Sequence, residues 1–353
     1  MAAGRVMAGR LTDSRVTLVV EPSTTAVEGV APETPLLGLP LLRRTVLAAR
    51  KAGFSRVVVT LDDPTGSVAG ALEGTGVEFS RDPVEPEATR LPWNLVVGTK
   101  EMKALRAGNP LGGVEVLTDR DLPAARRLLL LGLIKDEEGF MSRHVERRIS
   151  LAVSRVLAST SVTPNAMTIG SVAIGVLGAV LFAAGPARLQ LPGALLFLLH
   201  SILDGCDGEL ARLKFLESRF GGILDFWGDN VVHVAVFLGI GVGAWRATGE
   251  TWPLWLGLSA SLGALLSATW VYRETMTAPK EGPAFTSVTK EPSGTVGEVA
   301  DGLARRDFIY LVVLLSAFGK AVWFLALAAV GSPIFFLVLL ALSWGGRRRE
   351  RHA

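Results

Sequence analysis

Residues 199–230 read LHSILDGCDGELARLKFLESRFGGILDFWGDN. Four aspartates, Asp204, Asp207, Asp225 and Asp229, stand where two apolar segments meet a short basic turn. The flanking segments are Pro192–Leu203 and Ile223–Ala244, and the first reaches spanning length only if it continues through the charged stretch Asp204–Arg212. Working outward, Met167–Ala184, Trp252–Tyr272, Phe308–Val330 and Pro333–Trp344 are also apolar and separated by polar turns. Several of these exceed about 18 residues, the usual length for crossing a bilayer. The sequence therefore predicts an all-α bundle of six membrane-spanning helices over residues 161–346, in the cell (inner) membrane.

The basic residues orient that bundle. Arg143, Arg147, Arg148 and Arg155 precede the first span, and Arg212, Lys214 and Arg219 lie between the second and third. Arg273, Lys280, Lys290, Arg305 and Arg306 separate the fourth from the fifth, and Arg347, Arg348, Arg349 and Arg351 follow the sixth. The opposite turns hold only Arg188 and Arg246. Lys and Arg favour the cytoplasmic side, so six spans with both termini and the acidic cluster inside satisfy every loop. Trp245, Trp252 and Trp255 then fall at the outer interface, where aromatic belts sit. Lys320 reads as a mid-span lysine facing the bundle interior. His200 and His233 read as polar contacts between helices.

A carboxylate within a membrane helix costs about 2.5–3.5 kcal/mol even on lenient scales, and four together repel unless a cation compensates. Asp204 and Asp207 are three apart, Asp225 and Asp229 four apart, so each pair shares a helix face. Two adjacent antiparallel helices bring both pairs to one point, suited to Mg²⁺ or Mn²⁺. Gly205, Gly208 and Ala211 leave room for a ligand beside the carboxylates. Arg212 offers a guanidinium fork for a phosphate. Gly221 and Gly222 open the third span without side chains.

Composition narrows the classes. Thirty-six Lys and Arg against 33 Asp and Glu give a net charge of +3 over 353 residues, too even a balance for a nucleic-acid-binding chain. Hydrophobic residues reach 49 %, charged residues only 20 %, and mean hydropathy is +0.40, a combination rare in soluble domains. A single cysteine excludes an internal disulfide framework and a multi-cysteine zinc site, and four scattered histidines argue against a histidine-based one. A bound metal would have to be held by carboxylates. Cys206 reads as a small packing residue, with no neighbouring histidine to activate it as a nucleophile.

Residues 1–135 read as a cytoplasmic α/β domain. Arg15–Val20, Arg56–Leu61 and Asn94–Val97 are short buried-strand patterns, and Leu41–Lys51 is helical and stops at Gly53. Met1–Leu11 lacks the apolar core of a signal peptide. Residues 136–160 form a juxtamembrane segment in which Phe140, Val145, Ile149, Val153, Val156 and Leu157 share one helical face and arginines the other. That pattern predicts an amphipathic helix on the cytoplasmic membrane surface, or else a linker helix packed on the N-terminal domain. Residues 347–353 are a basic cytoplasmic tail.

The run Asp204-Gly-Cys-Asp207-Gly208-Glu-Leu-Ala211-Arg212, eight further residues, then Gly221-x3-Asp225-x3-Asp229, resembles the signature of the CDP-alcohol phosphotransferases, with all eight fixed positions present. Thr163-Pro164-Asn165-x2-Thr168 is similar to that family's opening of the first span. The resemblance implies an enzyme that passes a phospho-alcohol or phosphatidyl group from a CDP-linked donor to an acceptor hydroxyl and releases CMP. It implies that Asp204, Asp207 and Asp225 hold Mg²⁺ or Mn²⁺, and that Asp229 joins the metal set and takes the acceptor's proton. It implies that Gly208, Ala211, Arg212 and Gly221, with Thr163 and Asn165, contact the nucleotide, although Thr163 also suits a plain helix cap before Pro164. Arg143, Arg147 and Arg306 are candidates for an acceptor phosphate. A homodimer is the family expectation.

Leu36–Leu61 resembles a sugar-phosphate nucleotidyltransferase fold. Its fusion to this membrane half is similar to the bifunctional inositol-phosphate cytidylyltransferase and di-inositol-phosphate-phosphate synthase group, which implies an inositol-phosphate acceptor. The N-terminal half departs from that pattern. Glu21-Pro-Ser-Thr-Thr follows the first strand where a glycine-rich basic loop is needed, and Gly98-Thr99-Lys100 stands where a metal-binding aspartate belongs. The domain therefore reads as degenerate and non-catalytic, with Asp62 and Asp63 as turn residues. Two alternatives remain open: a phospholipid synthase using CDP-diacylglycerol, and a cation- or proton-coupled transporter. Against the transporter, the acids lie to one side of the bilayer and no internal repeat is visible.

Overall fold

The computed structural model describes residues 17–62, 66–81, 88–109, 112–134, 146–276 and 308–352. Asp63, Arg143, Arg305 and Arg306 lie outside them, as do Met1–Leu11, Phe140 and Val145. The chain divides into two compact units, the first comprising Met1–Lys135 with Arg155–Ser161 and Arg212–Phe215, the second the rest.

The first unit is built on a parallel sheet. In chain order it contains β1 (Thr17–Glu21), β2 (Pro35–Leu36), β3 (Leu39–Pro40), α1 (Leu41–Ala52), β4 (Arg56–Val59), α2 (Ser67–Ala71), β5 (Glu78–Phe79), β6 (Thr89–Pro92), β7 (Leu95–Val96), α3 (Thr99–Arg106), β8 (Val114–Glu115) and α4 (Leu122–Leu131). The main sheet has the order β5-β4-β1-β6, all parallel. Leu18, Val19, Val20, Val57 and Val58 are fully buried, as expected for strands covered on both faces. Helix α1 stops at Gly53 as predicted. Gly53 is left-handed (φ 93°), its N–H reaches Arg50 O and that of Phe54 reaches Ala49 O, a Schellman closure.

Asn94–Val97 contains a strand as expected, Leu95–Val96 with Val96 buried, but it lies outside the parallel sheet and pairs antiparallel with Val114–Glu115. The sheet instead takes Thr89–Pro92, whose Leu91 alone is buried. This is an edge strand, so it tolerates Pro92 and needs no continuous apolar run. Arg44 is buried in this unit. It donates to Leu36 O (2.9 Å), Leu37 O (3.1 Å) and Leu213 O (2.9 Å), and burial draws its pKa down to about 10.

The second unit is helical, and the ends of α5 from Arg155 and of α7 from Arg212 belong to the first: α5 (Arg147–Ala158), α6 (Pro164–Ala183), α7 (Gln190–Lys214), α8 (Arg219–Thr248), α9 (Trp252–Met276), α10 (Phe308–Ala317) and α11 (Ala321–His352). Among the described residues, five helical stretches are long and apolar enough to cross a membrane: Pro164–Ala183, Ala187–Lys214, Arg219–Thr248, Trp252–Glu274 and Ala321–Ser343. Phe182, Phe197, Val232, Val236, Ile309 and Leu325 form their common core. Ile169, Leu177, Leu262, Leu327 and Leu337 point outward, the pattern of a lipid-facing surface.

The last two apolar segments divide elsewhere than expected. The break comes at Phe318–Lys320, not between Val330 and Pro333. Gly319 is left-handed (φ 68°), its N–H reaches Ser316 O, and that of Lys320 reaches Leu315 O at 2.8 Å. That is again a Schellman closure. Lys320 is thus an exposed turn residue and not a mid-span lysine. Helix α11 runs on through Pro333, as apolar spans permit where neighbouring helices resatisfy the backbone. A Cβ on Gly263 of α9 would lie 2.6 Å from Pro333 N, so the two helices touch there backbone to backbone.

Candidate active site

Helices α7 and α8 carry all four acids. Their placement depends on α6, which packs against α8 through small residues. A Cβ on Gly239 would lie 2.4 Å from Ala179 O, one on Gly228 2.7 Å from Val172, and one on Gly175 2.5 Å from Val232. Small residues at these crossings let the helix axes approach, the usual device of bilayer packing. Ser218 starts α8 by accepting from Gly221 N at 3.0 Å.

The acids converge. One carboxylate oxygen each from Asp204, Asp207 and Asp225 lie within 4.8 Å of one another. A second set, His200, Asp204 and Asp229, meets the same limit, so Asp204 belongs to both. Asp204 and Asp207 are only 4 % and 5 % exposed, whereas Asp225 and Asp229 are half-buried. Thr168 on α6 donates its hydroxyl hydrogen to Asp207 Oδ2. Asp229 Oδ1 faces His200 Nε2 at 3.5 Å, and its Oδ2 faces His233 Nδ1 at 3.7 Å. Three clustered carboxylates are a donor set for a hard divalent cation, Mg²⁺ or Mn²⁺.

The remaining predicted residues distribute as follows. Gly208 and Ala211 follow Asp204 and Asp207 along α7, and Arg212 lies in that helix's last turn. Gly221 is packed closely: a Cβ there would come 3.1 Å from Asn165 Oδ1, which places Asn165 beside the start of α8. Thr163 caps α6, accepting from Ala166 N at 3.3 Å. Arg147 donates to Glu209 Oε1 at 2.6 Å, and Ser150 donates to the same oxygen at 2.7 Å. Cys206 is buried beneath α5, its thiol 3.6 Å from Ser150 O, in keeping with a packing role.

Sequence reasoning overlooked Glu209, gave His200 and His233 no role at the site, and saw Thr168 only as part of a span-opening pattern. The signal for the histidines was spacing. His200 precedes Asp204 by four residues and His233 follows Asp229 by four, so each shares a helix face with an acid.

The family profile described as CDP-alcohol phosphatidyltransferase matches residues 161–330. A bifunctional IPC transferase and DIPP synthase of Thermococcus kodakarensis is 37 % identical over 160 residues, covering 44 % of this chain and 34 % of that protein. Its namesake in Rubrobacter xylanophilus is 34 % identical over 266 residues, covering 72 % of this chain and 55 % of that protein. The chain thus spans about a third to just over half of the length of these relatives. The crystal structure of Mycobacterium tuberculosis phosphatidylinositol phosphate synthase with CDP-DAG bound aligns at 22 % identity and a TM-score of 0.39, over 54 % of this chain and 92 % of that one. The profile covers the acidic signature and the helices that carry it, so residues 161–330 match the CDP-alcohol phosphatidyltransferase family.

Proposed function

We propose that the chain transfers a phospho-alcohol group from a CDP-linked donor to the hydroxyl of an alcohol-phosphate acceptor, with release of CMP. The observation that carries this reading is the convergence of Asp204, Asp207 and Asp225 on one point, with Asp229 joined to them through Asp204. Asp204, Asp207 and Asp225 would hold a divalent cation there, which when bound would supply positive charge to the donor pyrophosphate. Asp229, with one oxygen toward each histidine, removes the proton from the attacking hydroxyl as its oxygen bonds to phosphorus and the bond to CMP breaks. Gly208, Ala211 and Gly221 let the nucleotide lie close to the backbone, with Asn165 beside it, and Arg212 pairs with its phosphate.

The favoured acceptor is inositol phosphate, in line with the names of the relatives. Arg143 and Arg306 suit its phosphate, while Arg147 acts through Glu209. The N-terminal α/β unit is read as a non-catalytic remnant of a nucleotidyltransferase. Six crossings with both termini cytoplasmic remain the preferred topology: α10 supplies the fifth, and Lys320 then joins Arg188 and Arg246 in the outer turns. Helix α5 lies at the inner interface, where Ile149 and Val156 are exposed. A homodimer in the membrane completes the reading.

The test is CMP release by the purified full chain in Mg²⁺, with inositol phosphate as acceptor and either CDP-inositol or CDP-diacylglycerol as donor. Release with CDP-inositol supports the preferred donor. Release with the lipid donor alone replaces it with a phospholipid synthase, and no release with either at saturating Mg²⁺ or Mn²⁺ overturns the reaction class.

A further inference from the structure

We propose that His200 is a nitrogen ligand to a second cation position, which it forms with Asp204 and Asp229 beside the all-carboxylate position of Asp204, Asp207 and Asp225. The inference rests on the reading of the acidic cluster as a metal-dependent transferase site and adds a donor that the acidic signature does not contain.

His200 is fully buried, and among the described residues neither of its ring nitrogens makes a hydrogen bond. A buried imidazole whose nitrogens make no hydrogen bond is costly, and such a group calls for a specific reason. The ring is aimed at the cluster, with Nε2 3.5 Å from Asp229 Oδ1, and its donor atom lies within 4.8 Å of those of Asp204 and Asp229. Its surroundings hold it there. Phe197 stacks against it with ring centroids 6.3 Å apart, and the absence of a Cβ on Gly175 leaves the space the ring occupies, since one would come 3.0 Å from His200 Cγ. His233, on the other oxygen of Asp229, orients that carboxylate and does not belong to the three-residue set.

Asp204 belongs to both sets, and a shared carboxylate is what places two cations side by side. The two positions differ in chemistry. Three carboxylates suit Mg²⁺, whereas an imidazole with two carboxylates shifts preference toward Mn²⁺ and later transition metals. The chain should therefore bind one Mn²⁺ through nitrogen while its neighbour is bound through oxygen alone.

The experiment is pulsed electron paramagnetic resonance on the full chain in detergent, loaded with Mn²⁺ alone. The expected result is an imidazole ¹⁴N coupling that becomes a ¹⁵N coupling when the unmutated chain is grown with ¹⁵N-histidine, which needs no variant to fold. It should vanish in His200→Gln, persist in His233→Gln, and be accompanied in His200→Gln by at least a tenfold weaker second Mn²⁺. Bound Mn²⁺ with no nitrogen coupling, or coupling that survives in His200→Gln, overturns the assignment of His200 and leaves the transferase reading intact. No bound Mn²⁺, together with no CMP release, overturns both.

Discussion

Arg147 on α5 donates to Glu209 Oε1 on α7 across 2.6 Å, and the glutamate side chain has no exposed surface. Glu209 lies outside the acid-bearing face of α7, so this pair ties α5 to the back of the helix that carries Asp204 and Asp207. Breaking one partner of a buried pair leaves an uncompensated charge, at a cost of about 3–5 kcal/mol, whereas replacing both with apolar residues is often neutral. Arg147→Met and Glu209→Met should each lower the unfolding midpoint in detergent, and the double variant should recover most of it. Recovery of CMP release with an unchanged acceptor KM in the double variant would show that Arg147 acts through Glu209. A KM that stays raised would return Arg147 to the acceptor site.

Thr168 holds Asp207 from the neighbouring helix. An outer partner of a metal-binding carboxylate fixes its orientation, and losing it typically costs about 10–100-fold in metal affinity. Thr168→Val should raise the Mg²⁺ concentration needed for half-maximal CMP release by that factor, and Thr168→Ser should restore it. An unchanged Mg²⁺ titration in the valine variant would show that Asp207 needs no such support.

The meeting of α6 and α8 tolerates no added atom at Gly239, where a Cβ would press on Ala179 O at 2.4 Å. The obstacle is backbone, so the helices must part. Gly239→Ala should cost about 1–3 kcal/mol as overpacking and should reduce CMP release, because α8 carries Asp225 and Asp229. Gly170→Ala is the control, since among the described residues nothing lies within 4 Å of a Cβ there. It should be neutral or slightly stabilising, alanine being the better helix former. Thermal unfolding of the two variants side by side checks the contrast.

Two glycines show where the sequence was legible and where it was not. Gly53 and Gly319 close their helices with the same pair of hydrogen bonds. Gly53 was readable because a polar, basic helix end precedes it and a new strand pattern follows. Gly319 was hidden because apolar residues continue on both sides and the bilayer removes the polar contrast that marks a turn. Gly331-Ser332-Pro333 looked like the better break and is helical. Asp204, Asp207, Asp225 and Asp229 stood out because a carboxylate in apolar sequence is expensive and needs a reason. Glu209 escaped notice because its reason, Arg147, lies 62 residues away in sequence. Thr89–Pro92 escaped because an edge strand has too little apolar surface to announce itself.

Asp121 gives the α/β unit an acid sensitivity of definite sign. Its carboxylate accepts from Leu117 N at 3.0 Å and Thr118 N at 2.9 Å, and these hydrogen bonds, that of Thr118 foremost, lower its pKa below the ordinary value. A carboxylate with a depressed folded pKa stabilises fully above its unfolded pKa, about 3.9, and loses that contribution as pH falls through the folded value. Protection of the 117–118 amides, measured by hydrogen exchange at matched pH, should therefore be higher in the native chain than in Asp121→Ala at pH 6. The gap should narrow as pH drops below about 4. A gap independent of pH would mean that the carboxylate charge does not matter.

Asp229 has the exposure its proposed task requires. It retains 23 % of its side-chain surface while Asp204 and Asp207 are buried, so it is the acid of the second set that an acceptor hydroxyl can reach. Asp229→Asn keeps the shape, removes the basicity and takes one carboxylate from the position shared with His200 and Asp204. Loss of a general base should cost about 10²–10⁴-fold in CMP release, while the Asp204, Asp207 and Asp225 position still binds Mn²⁺. Asp225→Asn makes the opposite separation: it weakens that position, so high Mn²⁺ should partly restore turnover there and should restore none in Asp229→Asn. Metal titrations of both variants, with CMP release and bound Mn²⁺ read in parallel, separate the two roles. Turnover retained in Asp229→Asn would remove the residue as the base and leave proton removal to a cation-bound water or to the donor phosphate itself.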